Sequence, residues 1–145
     1  MLKGIPPVLS PELLKVLCEM GHGDVLVIAD GNFPAESVGK DGNVIRMDGH
    51  SVPDILEAVL SVFPLDRYVE KPVHLMKVVE GDQVEVLIWE DYNKIIMQKE
   101  GLGEEATGYL ERFDFYREAK KAYAVIATGE QALYANIMLQ KGVVK

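Results

Sequence analysis

The stretch Met20-Gly21-His22-Gly23-Asp24-Val25-Leu26-Val27-Ile28-Ala29-Asp30 decides the fold. A helical pattern stops at Gly21, and the continuous apolar run Val25 to Ala29 then ends on a carboxylate. Such a run reads as a central strand covered on both faces. In open α/β sheets ligands collect at the carboxyl ends of strands, where Asp30 stands. His22 lies on a glycine-flanked turn and can exchange a proton near neutral pH. Both are polar in a neighbourhood that otherwise reads as buried, which invites a chemical explanation.

Upstream, Ser10-Pro11-Glu12 is a helix start: serine caps, proline suits the first helical position, and glutamate suits the positive end of the dipole. Leu13, Leu14, Leu17 and Cys18 recur at helical spacing, with Val16 and Met20 widening the stripe, so Cys18 reads as a small buried hydrophobe. Downstream, residues 30–42 hold Gly31, Pro34, Gly39 and Gly42 and read as a long loop. Asn43 to Met47 is a short strand. Ser51 opens a second helix, with Asp54 as a capping-box variant, and Pro64 closes the stripe Ile55, Leu56, Val59, Leu60 and Phe63. Val73 to Val79 is predicted as a strand and Gly81-Asp82 as a turn. Residues 84–99 carry a helical stripe, and residues 100–108 read as exposed. The remainder reads as a strand over Tyr109 to Arg112, a helix over Phe113 to Ala122, a strand over Tyr123 to Ala127, a turn or short helix at Gly129-Glu130 and a last strand over Asn136 to Leu139. Strands alternate with helices nearly throughout. This predicts a single domain over residues 1–145, layered α/β/α around a central mixed sheet.

Composition removes several function classes. The chain has 145 residues, 48% of them hydrophobic, and a formal net charge of −8. That charge offers no basic footprint for nucleic acid or an anionic membrane surface. With Cys18 as its one cysteine the chain can form no internal disulfide. No apolar run approaches the roughly 20 residues needed to span a bilayer. The amino terminus lacks a signal-peptide core, so the expected location is the cytoplasm. There is no phosphate loop, dinucleotide fingerprint or paired-cysteine zinc site, and His22, His50 and His74 are too scattered for a local metal site. No metal or cofactor is expected.

Four constellations remain. His22 could instead cap the carbonyls at its helix end. Asp30 could be an Asx-turn residue opening its loop, yet a carboxylate at a strand end can also orient an imidazole or hold a sugar hydroxyl. Arg112 precedes Phe113-Asp114-Phe115-Tyr116. Rings that cover the apolar face of a sugar, beside charged groups that grip hydroxyls, suit carbohydrate, although Phe113, Phe115 and Tyr116 could equally be core. Glu118 reads as a solvated helix residue unless it turns toward the pocket. Tyr134-Ala135-Asn136 would project tyrosine and asparagine from one face of a strand, offering a hydroxyl and an amide, or an ordinary half-buried pair.

In order along the chain, several segments carry a resemblance. They are Ser10-Pro11-Glu12-Leu13-Leu14-Lys15-Val16-Leu17, Glu19 to Asp24, Asp30-Gly31-Asn32-Phe33-Pro34-Ala35, Val44 to Gly49, Arg112 to Ala119, Thr128-Gly129-Glu130, and Tyr134 to Leu139 with Lys141-Gly142-Val143. Together they resemble the ribose pyranase and fucose mutarotase family from about Met1 to Val143. The likeness is weakest over Pro72 to Glu105. Arg112 with its aromatics, and Met20-Gly21-His22-Gly23, point to the fucose branch. Asn32 departs from that branch, some members of which have histidine there. The resemblance implies a ribose pyranase-like fold and acid/base interconversion of the anomers of L-fucose without a cofactor. It makes His22 the acid/base residue, with Asp30, Arg112 and the Tyr134-Ala135-Asn136 segment on the substrate. Tyr134 would add a second proton-transfer group, and Tyr116 and Glu118 would be further contacts. It also implies a homo-oligomer, a decamer of pentameric rings with sites near subunit boundaries. A ribose pyranase uses the same ring-opening chemistry and is the nearest rival. A sugar-binding oligomer without catalysis would keep Asp30, Arg112 and Asn136 but gain nothing from a titrating His22.

Overall fold

Ser10 caps the first helix, its side chain accepting the Leu13 N–H, and the computed structural model describes the chain from there in both directions, over residues 1–145. The elements in order are α1 (Pro11–Glu19), β1 (Val25–Ala29), α2 (Ala35–Val38), β2 (Asn43–Met47), α3 (Val52–Leu60), β3 (Val73–Met76), α4 (Ile88–Glu100), β4 (Thr107–Leu110), α5 (Arg112–Ala119), β5 (Ala124–Thr128) and β6 (Ile137–Gln140), with one 3-10 turn at Glu104–Ala106. The six strands form one sheet in the order β2-β5-β1-β6-β3-β4. All run parallel except β6, which is antiparallel to β1 and β3 on either side of it.

Side chains alternate across a strand, and here the alternation sorts the core into two layers. Leu26 and Ile28 of β1, Ala124 and Ile126 of β5, and Ile137 and Leu139 of β6 face α1, α3 and α4. Val27 and Ala29, Val125 and Ala127, and Met138 face α2 and α5. Apolar side chains on both faces explain why β1 reads as an unbroken apolar run. The layered α/β arrangement with a mixed sheet is the one the alternation of elements predicts. No helix is long and apolar enough to cross a membrane.

The departures from the sequence reading have local causes. Cys18 is exposed, not buried. At about 100° per residue it stands opposite the stripe formed by Leu13, Val16, Leu17 and Met20. The 30–42 loop contains the short helix α2. β3 stops at Met76, after which the chain leaves the sheet for an irregular segment that reaches α4. α4 therefore begins at Ile88 rather than at residue 84 and buries Tyr92 and Ile96, one turn apart. Residues 100–108 are not wholly exposed: Ala106 and Thr107 are buried, and β4 starts at Thr107. Arg112 opens α5 instead of closing a strand, and α5 ends at Ala119. β5 is shifted one residue later at each end, and β6 begins at Ile137, so neither Tyr134 nor Asn136 is a strand residue.

Candidate active site

The carboxyl ends of the parallel strands and the amino end of antiparallel β6 meet at one edge of the sheet. Asp30 follows β1, Met76 ends β3, Arg112 comes two residues after β4, and Tyr134 to Asn136 lead into β6. Asp30, Met76, Arg112, Tyr134 and Asn136, with Asn32, Phe33, Val79, Asp82, Tyr116 and Leu133, line a cleft of about 270 Å3. That is just below the roughly 300–1,000 Å3 range of small-molecule pockets. Its polar groups are distributed around apolar walls formed by Phe33, Met76 and Leu133, a combination suited to a hydroxylated ligand.

Asp30 is 7% exposed. Burial pushes its carboxyl above the usual carboxylate range, partly opposed by backbone N–H groups of Asn32, Ala135 and Phe33. The Asn32 N–H donates to Oδ1 at 3.0 Å, so Asp30 does form the Asx turn, and this fixes its carboxylate in the cleft. The Asp30 N–H donates in turn to Asn136 Oδ1 at 2.8 Å. The Asn136 side chain thereby takes the place of a ladder partner, which is why β6 pairing starts one residue later. Tyr134 has φ +55°, a left-handed backbone uncommon outside glycine. Two contacts from α4 hold that turn: Trp89 Nε1 donates to the Tyr134 carbonyl at 2.9 Å, and the buried Tyr92 hydroxyl donates to the Ala135 carbonyl at 2.6 Å. Ala135 is itself fully buried and contributes spacing rather than a side chain to the cleft.

The Tyr134 hydroxyl donates to Asp82 Oδ2 at 2.6 Å and accepts from the Val79 N–H at 3.3 Å. The Asp82 hydrogen bond, with burial second, pushes the Tyr134 pKa up. Arg112 stacks its guanidinium over Phe113 and Tyr116, at 5.4 and 5.6 Å from the ring centroids, and donates from Nε to the Tyr116 hydroxyl at 3.3 Å. Phe33 packs edge-on against Phe115 and Tyr116. Of the three aromatics after Arg112, Phe115 is therefore core, Tyr116 walls the cleft and Phe113 is exposed.

His22 lies elsewhere. It precedes β1 whereas Asp30 follows it, so the five residues of β1, about 17 Å of strand, lie between them in one chain. Nor does His22 cap α1: the Lys141 ammonium donates to the Leu17 and Met20 carbonyls and occupies that role. His22 Nε2 stands 3.1 Å from Asp66 Oδ1, with the Tyr68 ring 5.4 Å away between centroids. The Asp66 carboxylate is 2% exposed, against 46% for His22. Burial pushes the Asp66 carboxyl up, but hydrogen bonds from the Tyr68 N–H, His22 and Gln140 together outweigh it and hold it below the usual carboxylate range. The arrangement is a half-exposed imidazole oriented by a buried, fully hydrogen-bonded carboxylate. Glu118 is also outside the cleft. It lies on α5 beside a separate groove with His74 and Asp114 and pairs with Lys121 at 3.1 Å.

The structure thus gathers Asp30, Arg112, Tyr116, Tyr134 and Asn136, and sets His22 and Glu118 apart. Asp66 and Asp82 were not singled out in the sequence. Asp66 carries no local signal, being 44 residues from its imidazole, and Asp82 reads only as a turn residue. No group of three His, Cys, Asp or Glu side chains is placed to hold a metal ion.

Residues 3–144 match the family described as the RbsD / FucU transport protein family. The chain is 52% identical over 145 residues to a fucose mutarotase of Mus musculus, covering 97% of this chain and 94% of the relative. It superposes on FucU from Bifidobacterium longum with a TM-score of 0.97 at 62% identity, covering 99% and 100% of the two chains. A fucose mutarotase from Streptococcus pneumoniae, crystallised with L-fucose, gives 0.93 at 48% identity over 99% and 100%.

Proposed function

The chain belongs to the RbsD / FucU family, and from that premise we propose that it is an isomerase, an L-fucose mutarotase interconverting the α and β anomers. The reaction opens the ring hemiacetal and closes it on the other face. In opening, the anomeric hydroxyl loses a proton, the bond from the anomeric carbon to the ring oxygen breaks, and the ring oxygen gains a proton. Closing reverses each step. Two groups are needed, one at each oxygen, and both must work in both directions, which suits a histidine.

In this reading Asp30, Arg112 and Asn136 hold the sugar hydroxyls, Tyr116 backs the sugar, and Tyr134 exchanges a proton with one of the reacting oxygens. His22 serves the other. Because His22 and the cleft of its own chain stand at opposite ends of β1, His22 reaches the cleft of a second copy, and the working enzyme is a cytoplasmic homo-oligomer. A decamer of pentameric rings meets that need, since head-to-tail contacts around a ring give every cleft one neighbour's histidine. Asp66 orients that histidine. Glu118 takes no part in the chemistry of this cleft.

The observation that carries the proposal is the convergence of Asp30, Arg112, Tyr134 and Asn136 on one small cleft in a chain about half identical to fucose mutarotases over its whole length. Saturation-transfer proton NMR on equilibrated L-fucose tests it, with D-ribose alongside. Anomer exchange should rise with enzyme on L-fucose and fall by about 10²–10⁴-fold in His22→Ala, the usual contribution of a positioned acid/base group. Enzyme-dependent exchange only on D-ribose would make the protein a pyranase. None on either sugar would leave a binding protein, and a fully active His22→Ala would remove His22 from the chemistry.

A further inference from the structure

The segment after β3 contains a device that the sugar-holding residues do not account for. The Asp82 N–H donates to the Val79 carbonyl at 3.0 Å, closing a four-residue turn over Val79-Glu80-Gly81-Asp82. Gly81 has φ +89° while Glu80 does not have a positive φ, which makes it a type II turn with glycine at the position that demands one. Both ends of this turn grip a single atom, the Tyr134 hydroxyl oxygen. Val79 donates its N–H to it, and Asp82 accepts its proton at 2.6 Å. Asp82 and Tyr134 both line the cleft.

A tyrosine hydroxyl has one proton and two lone pairs. Here the proton is committed to Asp82 and one lone pair to Val79, so one lone pair remains for the cleft. Tyr134 in this state can accept a sugar proton but cannot directly donate one. We propose that Asp82 is the positioning residue of the reaction, holding the Tyr134 hydroxyl and receiving its proton as Tyr134 takes one from the sugar. This rests on the reading of the cleft as a mutarotase site. In ring opening the sugar hydroxyl proton passes to Tyr134 Oη, the former Tyr134 proton passes to the Asp82 carboxylate, and His22 of the neighbouring copy protonates the other oxygen. In ring closing every proton returns, so Asp82 is a carboxylate again at the end of each turnover and no net charge is created. The charged groups facing the hydroxyl support this direction: Asp82 raises the Tyr134 pKa and Arg112, across the cleft on α5, lowers it less, so the phenol keeps its proton at neutral pH and passes it on only when another arrives. Asp82 is exposed, but its hydrogen bond to a fixed partner gives it one geometry.

The test compares wild type, Asp82→Asn, Asp82→Glu, Tyr134→Phe and the Asp82→Asn/Tyr134→Phe double variant. Exchange is read at saturating L-fucose by saturation-transfer NMR, and L-fucose affinity by NMR titration of the same samples. Asp82→Asn keeps an acceptor for the tyrosine but loses the base. It should slow exchange by about 10²-fold, the low end of a proton-transfer contribution, and leave affinity unchanged. Asp82→Glu, which restores a carboxylate, should recover part of the rate. In the Tyr134→Phe background the Asp82→Asn change should cost nothing further, because residues acting through one another are non-additive. Asp82→Asn exchange equal to wild type overturns the proposal, and so does a loss of affinity that parallels the loss of rate, which would mark a merely structural turn. An Asp82→Asn effect undiminished in Tyr134→Phe also overturns it. No wild-type exchange on L-fucose would instead fell the mutarotase reading itself, and the role of Asp82 with it.

Discussion

Asp30 is held in a place its charge does not favour. Its carboxyl is nearly buried and titrates above the usual range, so above that raised pKa the ionised side chain weighs against the folded state. The sign follows: the penalty is absent below the ordinary carboxylate range, where Asp30 is protonated folded and unfolded alike, grows as pH rises through that range, and is full above the raised one. Asp30→Asn keeps an acceptor for the Asn32 N–H and removes the charge. It should therefore unfold at a higher temperature than wild type at pH 7, with the gap closing as pH falls toward 4, while L-fucose binding is lost. Thermal melts over that pH series, beside NMR titration with the sugar, check both halves. Such a trade of stability for function is common at binding sites. The carboxylate was legible in the sequence because an acidic residue ends an apolar run. Asp66 was not, since the partner of a histidine 44 residues away leaves no pattern to read.

Helix α4 touches the ligand cleft only through backbone it holds in place. Trp89 and Tyr92, near its amino end, donate to consecutive carbonyls of Tyr134 and Ala135, and so secure the left-handed turn that presents the Tyr134 ring. Tyr92→Phe deletes one hydroxyl and leaves the buried Ala135 carbonyl without it. Denaturant unfolding should show a loss of about 1–3 kcal/mol, the penalty for an unmet buried acceptor, and L-fucose affinity should weaken with it. Element identity was largely readable from periodicity, as α1, β1, β2 and α3 illustrate. Boundaries were not wherever a tertiary contact set them. β6 starts late because the Asn136 side chain replaces a ladder bond, and α4 starts late because the preceding residues span from the cleft to the helix layer. Sequence period alone carries neither fact.

For the whole molecule, the proposed arrangement divides each working site between two copies, and subunit mixing should expose that division. His22→Ala and Tyr134→Phe, each nearly inactive alone, should regain activity when co-expressed and assembled together. Random assortment at head-to-tail contacts gives roughly one intact site in four. Anomer exchange by purified mixed oligomers, compared with a physical mixture of separately assembled variants, measures it. Activity no higher than the two variants alone would return every site residue to a single chain. The layered architecture was legible from the alternation of strands and helices. The strand order was not, because the central place of β1 and the insertion of β6 beside it depend on pairings between residues about a hundred positions apart.

The lone antiparallel strand has one more consequence. Asn136, just ahead of β6, accepts the Asp30 N–H at the cleft, and Gln140, its last residue, donates to Asp66 at 3.0 Å beside His22. Four residues, about 13 Å of chain, join the two ends, and period-two alternation within β6 turns Met138 and Gln140 to the same side. β6 is in effect a ruler between the cleft and the His22–Asp66 pair, the two groups that the proposed chemistry needs. Inserting or deleting a single residue within it would shift one end by about 3.3 Å and flip it to the opposite face, so the registration of the two ends is set by the number of residues between them as much as by the side chains that stand there.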